Sequence, residues 1–444
     1  MISIKRKAAP RLEEIVLEMT ARNTSTQVGE SKAMGYAPLV FYNGVFIASK
    51  YIQSFELNCT NFVPELRIMF QDKSKVLHNE GFALDNTIIS VYLDSRTKDV
   101  DTVAALRPIR IDFKISQYNF LNDDKLFYVV GILNADALYT PAIFSMDATS
   151  YEVLDAMAAR GKLGFASNIT NTNDKMVWLN ADFKNYLFIQ DVTANAYLND
   201  TSFFFSFVDF YYNLNFIDVQ AQFMDTQTVK GIHNVISKGI LQENSMMVQD
   251  VSLITKGAAD GLLNNTIASY EVNNASTSTS LNAGYRTELY YYDKSGNWGQ
   301  NAGTFVCFTL ESLTEGTGVV LKSNPGDRGK GSFYQENVRK VYESPLETLN
   351  MHPHYSYAAT LNELNLMDMH KLTMTLTLTH PNFNLYKYQQ LPIYVMDYEA
   401  GRNDGQTINR RLTGNWLIVD IQFTYENGGD LKHHLTVVRR ELGR

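Results

Sequence analysis

Only two cysteines, Cys59 and Cys307, occur in 444 residues, and they lie far apart. Each sits among strand-like neighbours. No disulfide framework and no zinc-type spacing can be drawn from them, so both read as small buried hydrophobes. Charge is also scarce: 19% of residues are charged, against about 25% in ordinary soluble domains. The net charge is -8, which argues against tight binding to phosphate backbones, since that needs clustered Lys and Arg. No run of about 18 apolar residues appears, so no membrane span is expected. The opening MISIKRKAAPRLEE has no apolar stretch after its basic residues and does not read as a signal peptide.

Catalytic signatures are missing as well. GDRGKGS (326–332) has two residues between its first glycine and the Gly-Lys pair, where a phosphate-cradling loop has four, and Gly331 follows Lys330. It reads as a surface loop. His352 and His354 would share a strand face, but Pro353 separates them and no carboxylate or cysteine completes a metal set. His433 and His434 are adjacent, so on a strand they diverge. Glu13–Glu14 and Asp123–Asp124 fall in helix-start and loop contexts, with nothing to split them into acid and base. Gly-X-Ser-X-Gly, His-Glu-X-X-His and EF-hand patterns do not occur. No catalytic, cofactor-binding or metal-binding residue is assigned, and a non-enzymatic role is expected.

Apolar and aromatic residues are plentiful: 45% of the chain is hydrophobic, with 26 Tyr and 25 Phe. Strands favour such residues, and subunit interfaces do too. The stretch 412–441, LTGNWLIVDIQFTYENGGDLKHHLTVVRRE, organises the rest. Leu417, Val419, Ile421, Phe423 and Tyr425 alternate with Asp420, Gln422 and Thr424, the period of a half-buried strand. Asn427-Gly428-Gly429 supplies a hairpin turn. The return arm alternates less cleanly. A hairpin of this length needs other strands to lie on.

In chain order, 1–34 reads as an arm: an amphipathic helix over 11–22 with Leu12, Ile15, Val16 and Met19 on one face, then a polar linker. Residues 35–147 are read as a first β domain, with strands in PLVFYNGVFIASKYIQSFELNC (broken at Asn43-Gly44), ELRIMFQD, TIISVYLDS, IRIDFKISQ and KLFYVVGILN. Residues 148–200 change character. Thr149 or Ser150 caps a helix carrying Val153, Leu154, Met157 and Ala158, and a second amphipathic stretch, FKNYLFIQDVTANAY, follows, giving a small α/β insertion. Residues 201–270 start a second β domain, with buried strands in 202–223 and a bulge near Tyr211-Tyr212. MMVQDVSLITKG reads as a strand and YEVNNASTSTSLNAGY as a linker or exposed loop. Residues 271–350 hold an inserted β-rich domain. Residues 351–444 complete the second β domain, including LTMTLTLTH, in which Leu372, Met374, Leu376 and Leu378 oppose Thr373, Thr375, Thr377 and Thr379. The threonine face is polar but uncharged, suited to water, another subunit or a lumen.

Three strings resemble the central baseplate hub proteins of contractile-tailed bacteriophages of the T-even type: TSYEVLDAMAARGKLGFASNITNTNDKMVWLN (149–180), AYLNDTSFFFSFVDFYYNLNFIDV (196–219) and the terminal LTGNWLIVDIQFTYENGGDLKHHLTVVRREL. The order of elements is similar too. The resemblance implies a mainly β fold with two tail-tube-like barrel or sandwich domains and smaller α/β insertions. It implies a homotrimer that joins the hexameric tail-tube protein to the trimeric central spike protein, with tape-measure and baseplate wedge proteins as further contacts. DNA would pass through without specific binding, in a virion tail assembled in the bacterial host cytoplasm. Cell-wall cleavage or puncture would belong to a partner. The expected interface residues are Thr373, Thr375, Thr377, Thr379, Trp416, Gln422 and Thr424. Two rivals remain: the hub of a phage-like contractile injection system, and a carbohydrate-binding or carbohydrate-active β protein using Trp178, Trp298 and Trp416 to stack sugars.

Overall fold

The computed structural model describes residues 5–7, 37–72, 87–93, 109–121, 126–224, 246–248, 266–274, 286–293, 304–309, 336–343, 352, 354–370, 372–378, 381–383, 385–397, 407–409 and 411–439. The expected helix at 11–22, the GDRGKGS loop, Thr379 and Trp298 lie outside these residues.

After β1 (Lys5–Lys7), the first β region holds β2 (Leu39–Tyr42), β3 (Val45–Ile47), β4 (Ile52–Asn58), β5 (Glu65–Gln71), β6 (Ile88–Leu93), β7 (Ile109–Leu121) and β8 (Leu126–Leu133). Asn43 and Gly44 turn the β2–β3 hairpin at φ 44° and 82°, left-handed values that these two residue types reach at least cost. The strands run antiparallel in the order β4–β5–β8–β7–β6–β2–β3. Phe55, Leu57, Leu66, Ile68, Phe70, Phe113, Phe127 and Val129 fill the buried side.

The α/β region follows: α1 (Asp136–Tyr139), β9 (Pro141–Ala148), α2 (Ser150–Arg160), β10 (Gly164–Ser167), β11 (Met176–Lys184), α3 (Asn185–Ala194), β12 (Phe204–Val208), β13 (Asn213–Asp218) and α4 (Val219–Met224). Thr149 opens α2 with a capping box. Its hydroxyl accepts from the Glu152 amide, and the Glu152 carboxylate accepts from the Thr149 amide. Asp174 is fully buried and ties this region together, accepting from the Ser150 amide (2.9 Å), the Thr172 hydroxyl (2.7 Å) and the Tyr197 amide (2.8 Å). One sheet has the order β1–β10–β13–β12, and β9 and β11 form a separate pair. The arm thus begins as a strand: Lys5–Lys7 pair antiparallel with Phe165–Ser167. Of the strands within 202–223, read from sequence at the start of the second β domain, β13 pairs here with β10 and β12 with β13.

The break at Tyr211-Tyr212 is a hairpin turn rather than the expected bulge. Asp209 accepts the Tyr211 and Asn213 amides on one carboxylate oxygen (2.8 and 2.9 Å), and Tyr212 takes φ 59°. The Tyr212 hydroxyl, accepting the Asp112 amide at 2.8 Å, holds that left-handed backbone in place.

The last part comprises β14 (Met246–Val248), β15 (Thr266–Asn274), β16 (Arg286–Asp293), β17 (Thr304–Thr309), β18 (Glu336–Glu343), α5 (Tyr355–Met369), β19 (Leu372–Leu378), β20 (Gln390–Tyr394), β21 (Met396–Asp397), β22 (Thr407–Ile408), β23 (Gly414–Glu426) and β24 (Lys432–Arg439). β17–β16–β18 form their own sheet. YEVNN, expected in a linker, is the end of β15, paired along β19. Its polar residues alternate because one side faces outward, which composition alone makes look like a loop. α5 was not expected. Ala358, Leu361, Asn362, Asn365 and Met369 are its buried stripe, and two asparagines in that stripe mask the apolar period.

β23 joins the two β regions. Its first half, Gly414–Leu417, pairs with β20, and its second half, Gln422–Glu426, pairs with β4 on the same edge. Through β20, β14, β15, β19, β24 and β23 the sheet closes on itself, while beyond β4 it continues as the open first region. Between Ile418 and Asp420 the register shifts. The bulge inverts the phase read from sequence. Trp416 and Ile418 share the core face with Ile421, Phe423 and Tyr425, whereas Leu417 pairs with Val438 on the other face. The fold is mainly β with small α/β insertions, built on a curled, largely antiparallel sheet.

One buried cation sits where three parts meet. The Lys387 ammonium donates to the Cys59 and Thr60 carbonyls (2.5 and 3.2 Å) and lies 5.4 and 5.0 Å from the Phe205 and Phe207 ring centres. Burial lowers its pKa, and burial pushes the neighbouring Cys59 thiol up to about 12. Cys59 is therefore a protonated, packed side chain, as the sequence reading holds.

Candidate functional site

Strand alternation puts one polar face across both β regions. One rung of paired residues runs Ser269, Thr377, His434, Gln422, Asn58, Glu65, Ile132, Lys114, crossing eight strands from β15 to β7. Beside it run Glu271, Thr375, Thr436 and Asp420 on one side. Lys432, Thr424, Glu56, Arg67, Val130 and Gln117 run on the other. Thr375 is exposed, and Thr373, Thr377, Gln422 and Thr424 are half-buried. The opposite side of β19 is core: Leu372, Met374, Leu376 and Leu378 are at most 3% exposed.

The face satisfies much of its own polarity. His434 spans two strands, with Nδ1 3.0 Å from the Thr377 hydroxyl and Nε2 2.9 Å from the Thr424 hydroxyl. The Thr60 hydroxyl donates to Asp420 (3.0 Å), the Asn58 amide to Glu56 (3.2 Å) and the Asn61 amide to Glu65 (2.8 Å). Arg67 lies 3.9 Å from Glu56, and Lys114 2.6 Å from Asp136. Acids and bases interleave, so no large field of one sign builds up. Burial, with the Lys432 charge adding to it, lowers the His434 pKa, so its ring is neutral at pH 7.

Of the expected interface residues, Thr373, Thr375, Thr377, Gln422 and Thr424 come together on this face. Trp416 does not. It is 1% exposed in the core, and its indole N–H donates to the Leu412 carbonyl at 2.9 Å, which leaves no surface for a partner. Trp178 is 2% exposed and donates to the Ala148 carbonyl at 3.0 Å. Neither tryptophan offers a ring face to a sugar. Sequence reasoning missed Lys432, His434 and Thr436 because β24 alternates poorly, and the reason is His433. That side chain takes a core position, stacked 4.3 Å from the Phe423 ring centre, with Nδ1 accepting the Asn382 amide at 3.1 Å. His352 is likewise packed inside, beside Tyr355 and Tyr197, with Nε2 3.2 Å from the Asn195 carbonyl.

Elsewhere a cleft of about 510 Å³ opens where Phe62, α3, β12 and α5 meet. Among the described residues no group of three His, Cys, Asp or Glu is placed to hold a metal ion, and no helix is long and apolar enough to cross a membrane. The polar face can contact, line or guide, because many of its groups are already paired with one another.

No protein-family model matches the chain, and no curated protein matches it by sequence. Solved structures do. A tail protein from Neisseria meningitidis superposes with a TM-score of 0.50 at 9% identity, covering 91% of this chain and 97% of that one. The 43 kDa tail protein of prophage MuSo2 from Shewanella oneidensis gives 0.50 at 12% identity, over 91% and 98%. The chain therefore has the fold of phage tail proteins over nearly its whole length.

Proposed function

We propose that the chain is the central hub of a phage tail baseplate, a structural protein that works by subunit geometry. Three copies form a ring in which two β regions per chain present six similar walls. The ring joins a hexameric tail tube above to a trimeric spike below, with tape-measure and wedge proteins as neighbours, in a virion tail assembled in the host cytoplasm. The polar face lines the central passage, with Thr373, Thr375, Thr377, Gln422 and Thr424 on the wall.

The observation that carries this reading is the polar face that β23 carries from one β region to the other, where Gln422 pairs with both His434 and Asn58. A wall with interleaved, internally paired charges lets a phosphate polymer slide, because it offers no cluster of unpaired cations for counterion-releasing contacts. The likeness to two tail proteins supports the setting. The carbohydrate alternative loses two of its three tryptophans to the core.

Thiol accessibility tests the reading. With Thr375→Cys in the assembled ring, a small maleimide reacts, while one carrying a bulky polymer is excluded by the passage. Equal reaction with both reagents would place Thr375 on an outer surface and overturn the assignment.

A further inference from the structure

Among the described strands, β12 ends its sheet, with β13 on one side only. Backbone groups along such a strand alternate between its two sides. The Phe203 carbonyl accepts the Val219 amide (2.8 Å), and the Asp209 amide donates to the Asn213 carbonyl (3.0 Å), so the odd-numbered residues from 203 to 209 bond toward β13. Phe204, Ser206 and Val208 therefore aim their amides and carbonyls away from it. Two of these three amides are met. Asn362 of α5 accepts the Phe204 amide at 3.1 Å, and the Phe62 carbonyl accepts the Val208 amide at 2.7 Å. The Ser206 amide lies between them, and among the described residues no hydrogen bond takes it. The Ser206 side chain is held separately, 2.8 Å from the Thr193 hydroxyl of α3. Phe62, Ser206 and Asn362 all line the cleft of about 510 Å³, so the cleft opens on this edge between the two capped positions.

We propose that this notch binds an extended, cationic peptide segment of a partner protein, which adds a short strand to β12. The Ser206 amide calls for a carbonyl and the Ser206 carbonyl for a donor, the two bonds that one residue of an added antiparallel strand exchanges. The opening is short: from Phe204 to Val208 the strand spans about 13 Å, so the caps admit about three residues of the segment. The volume lies in the range of sites that enclose a small ligand rather than of an open surface. Side chains of the segment meet two kinds of wall. Phe62, Phe205 and Leu366 offer apolar surface, and Glu363 is the charged residue of the lining, which favours Lys or Arg on the occupant. The main-chain bonds hold the segment, and the carboxylate selects its charge.

Fluorescence anisotropy with the full-length chain and a positional-scanning library of capped pentapeptides tests this. Members with Lys or Arg are expected to bind saturably, and Glu363→Gln, an exposed position, to weaken them about threefold. Methylating the peptide nitrogens of the best member one at a time is expected to give an alternating pattern: a loss of about tenfold at the nitrogen facing β12 and little effect at its neighbours. Hydrogen exchange of the fragment carrying Ser206 is expected to slow when that peptide binds. No binding by any member up to about 1 mM would overturn the proposal. So would methylation effects that do not alternate, equal affinity for Glu363→Gln, or binding that leaves exchange at Ser206 unchanged. The methylations are made in the peptide, so a folding defect of the protein cannot mimic their pattern.

Discussion

The hydroxyl of Thr377 lies 3.0 Å from Nδ1 of His434, on the neighbouring strand. On the other side of that imidazole, Nε2 meets the Thr424 hydroxyl at 2.9 Å. One neutral ring therefore ties three strands together on the polar face, with each nitrogen engaged. His434→Ala removes both contacts and leaves two half-buried hydroxyls to water. Unfolding in urea is expected to show a loss of about 1–2 kcal/mol. His434→Gln, which can donate and accept, is expected to recover part of that loss.

Acid is expected to destabilise the fold below the ordinary histidine pKa. Burial lowers the His433 pKa to about 3, and burial lowers that of His352 as well. As pH falls below about 6.5 the unfolded chain binds protons at these sites that the folded chain refuses, for His433 down to about pH 3. Stability is thus full above about pH 6.5 and falls as pH drops, by at most about 1.4 kcal/mol per pH unit for each such histidine. His433→Asn keeps an acceptor for the Asn382 amide while removing the titrating ring. Denaturant midpoints measured from pH 7 to 4 are expected to fall less steeply in the variant.

Asn362 on α5 closes the end of α3. Its amide donates to the Ala194 carbonyl at 2.6 Å, and its buried oxygen accepts the buried Phe204 amide at 3.1 Å. Asn362→Ala leaves these groups unpaired and is expected to cost about 2–4 kcal/mol. Asn362→Leu, which fills the volume without pairing them, is expected to be no better. Thermal or urea unfolding reads both.

A methyl group on Gly131 would sit 2.8 Å from Cβ of Phe113, an atom fixed by its own strand. Gly131→Ala is expected to cost about 1–3 kcal/mol through a forced shift between β7 and β8. Gly428, at φ 79° with open space around it, gives a contrast: Gly428→Ala meets no neighbour and pays only for its backbone conformation, about 1 kcal/mol.

The strands were legible where one face is wet and one dry. LTMTLTL alternates without interruption, and its burial follows the letters. Legibility failed where a core position holds a polar group with a private partner. His433, matched to the Asn382 amide, blurred β24, and Asn362 and Asn365 hid α5. It failed again at Val419, because a one-residue register shift reverses the faces before it and leaves the composition unchanged. Trp416 was misplaced for that reason. The threonine face was readable, but its continuation through Glu56, Asn58 and Glu65 was not, since that depends on β23 meeting β4 across more than 350 residues of chain.

The native mass of the purified protein, taken with negative-stain class averages, tests the central claim most directly. The account predicts three copies around a central hole, formed alone or on adding the cognate spike protein. A stable monomer that builds no three-fold ring with tube or spike protein present would contradict it.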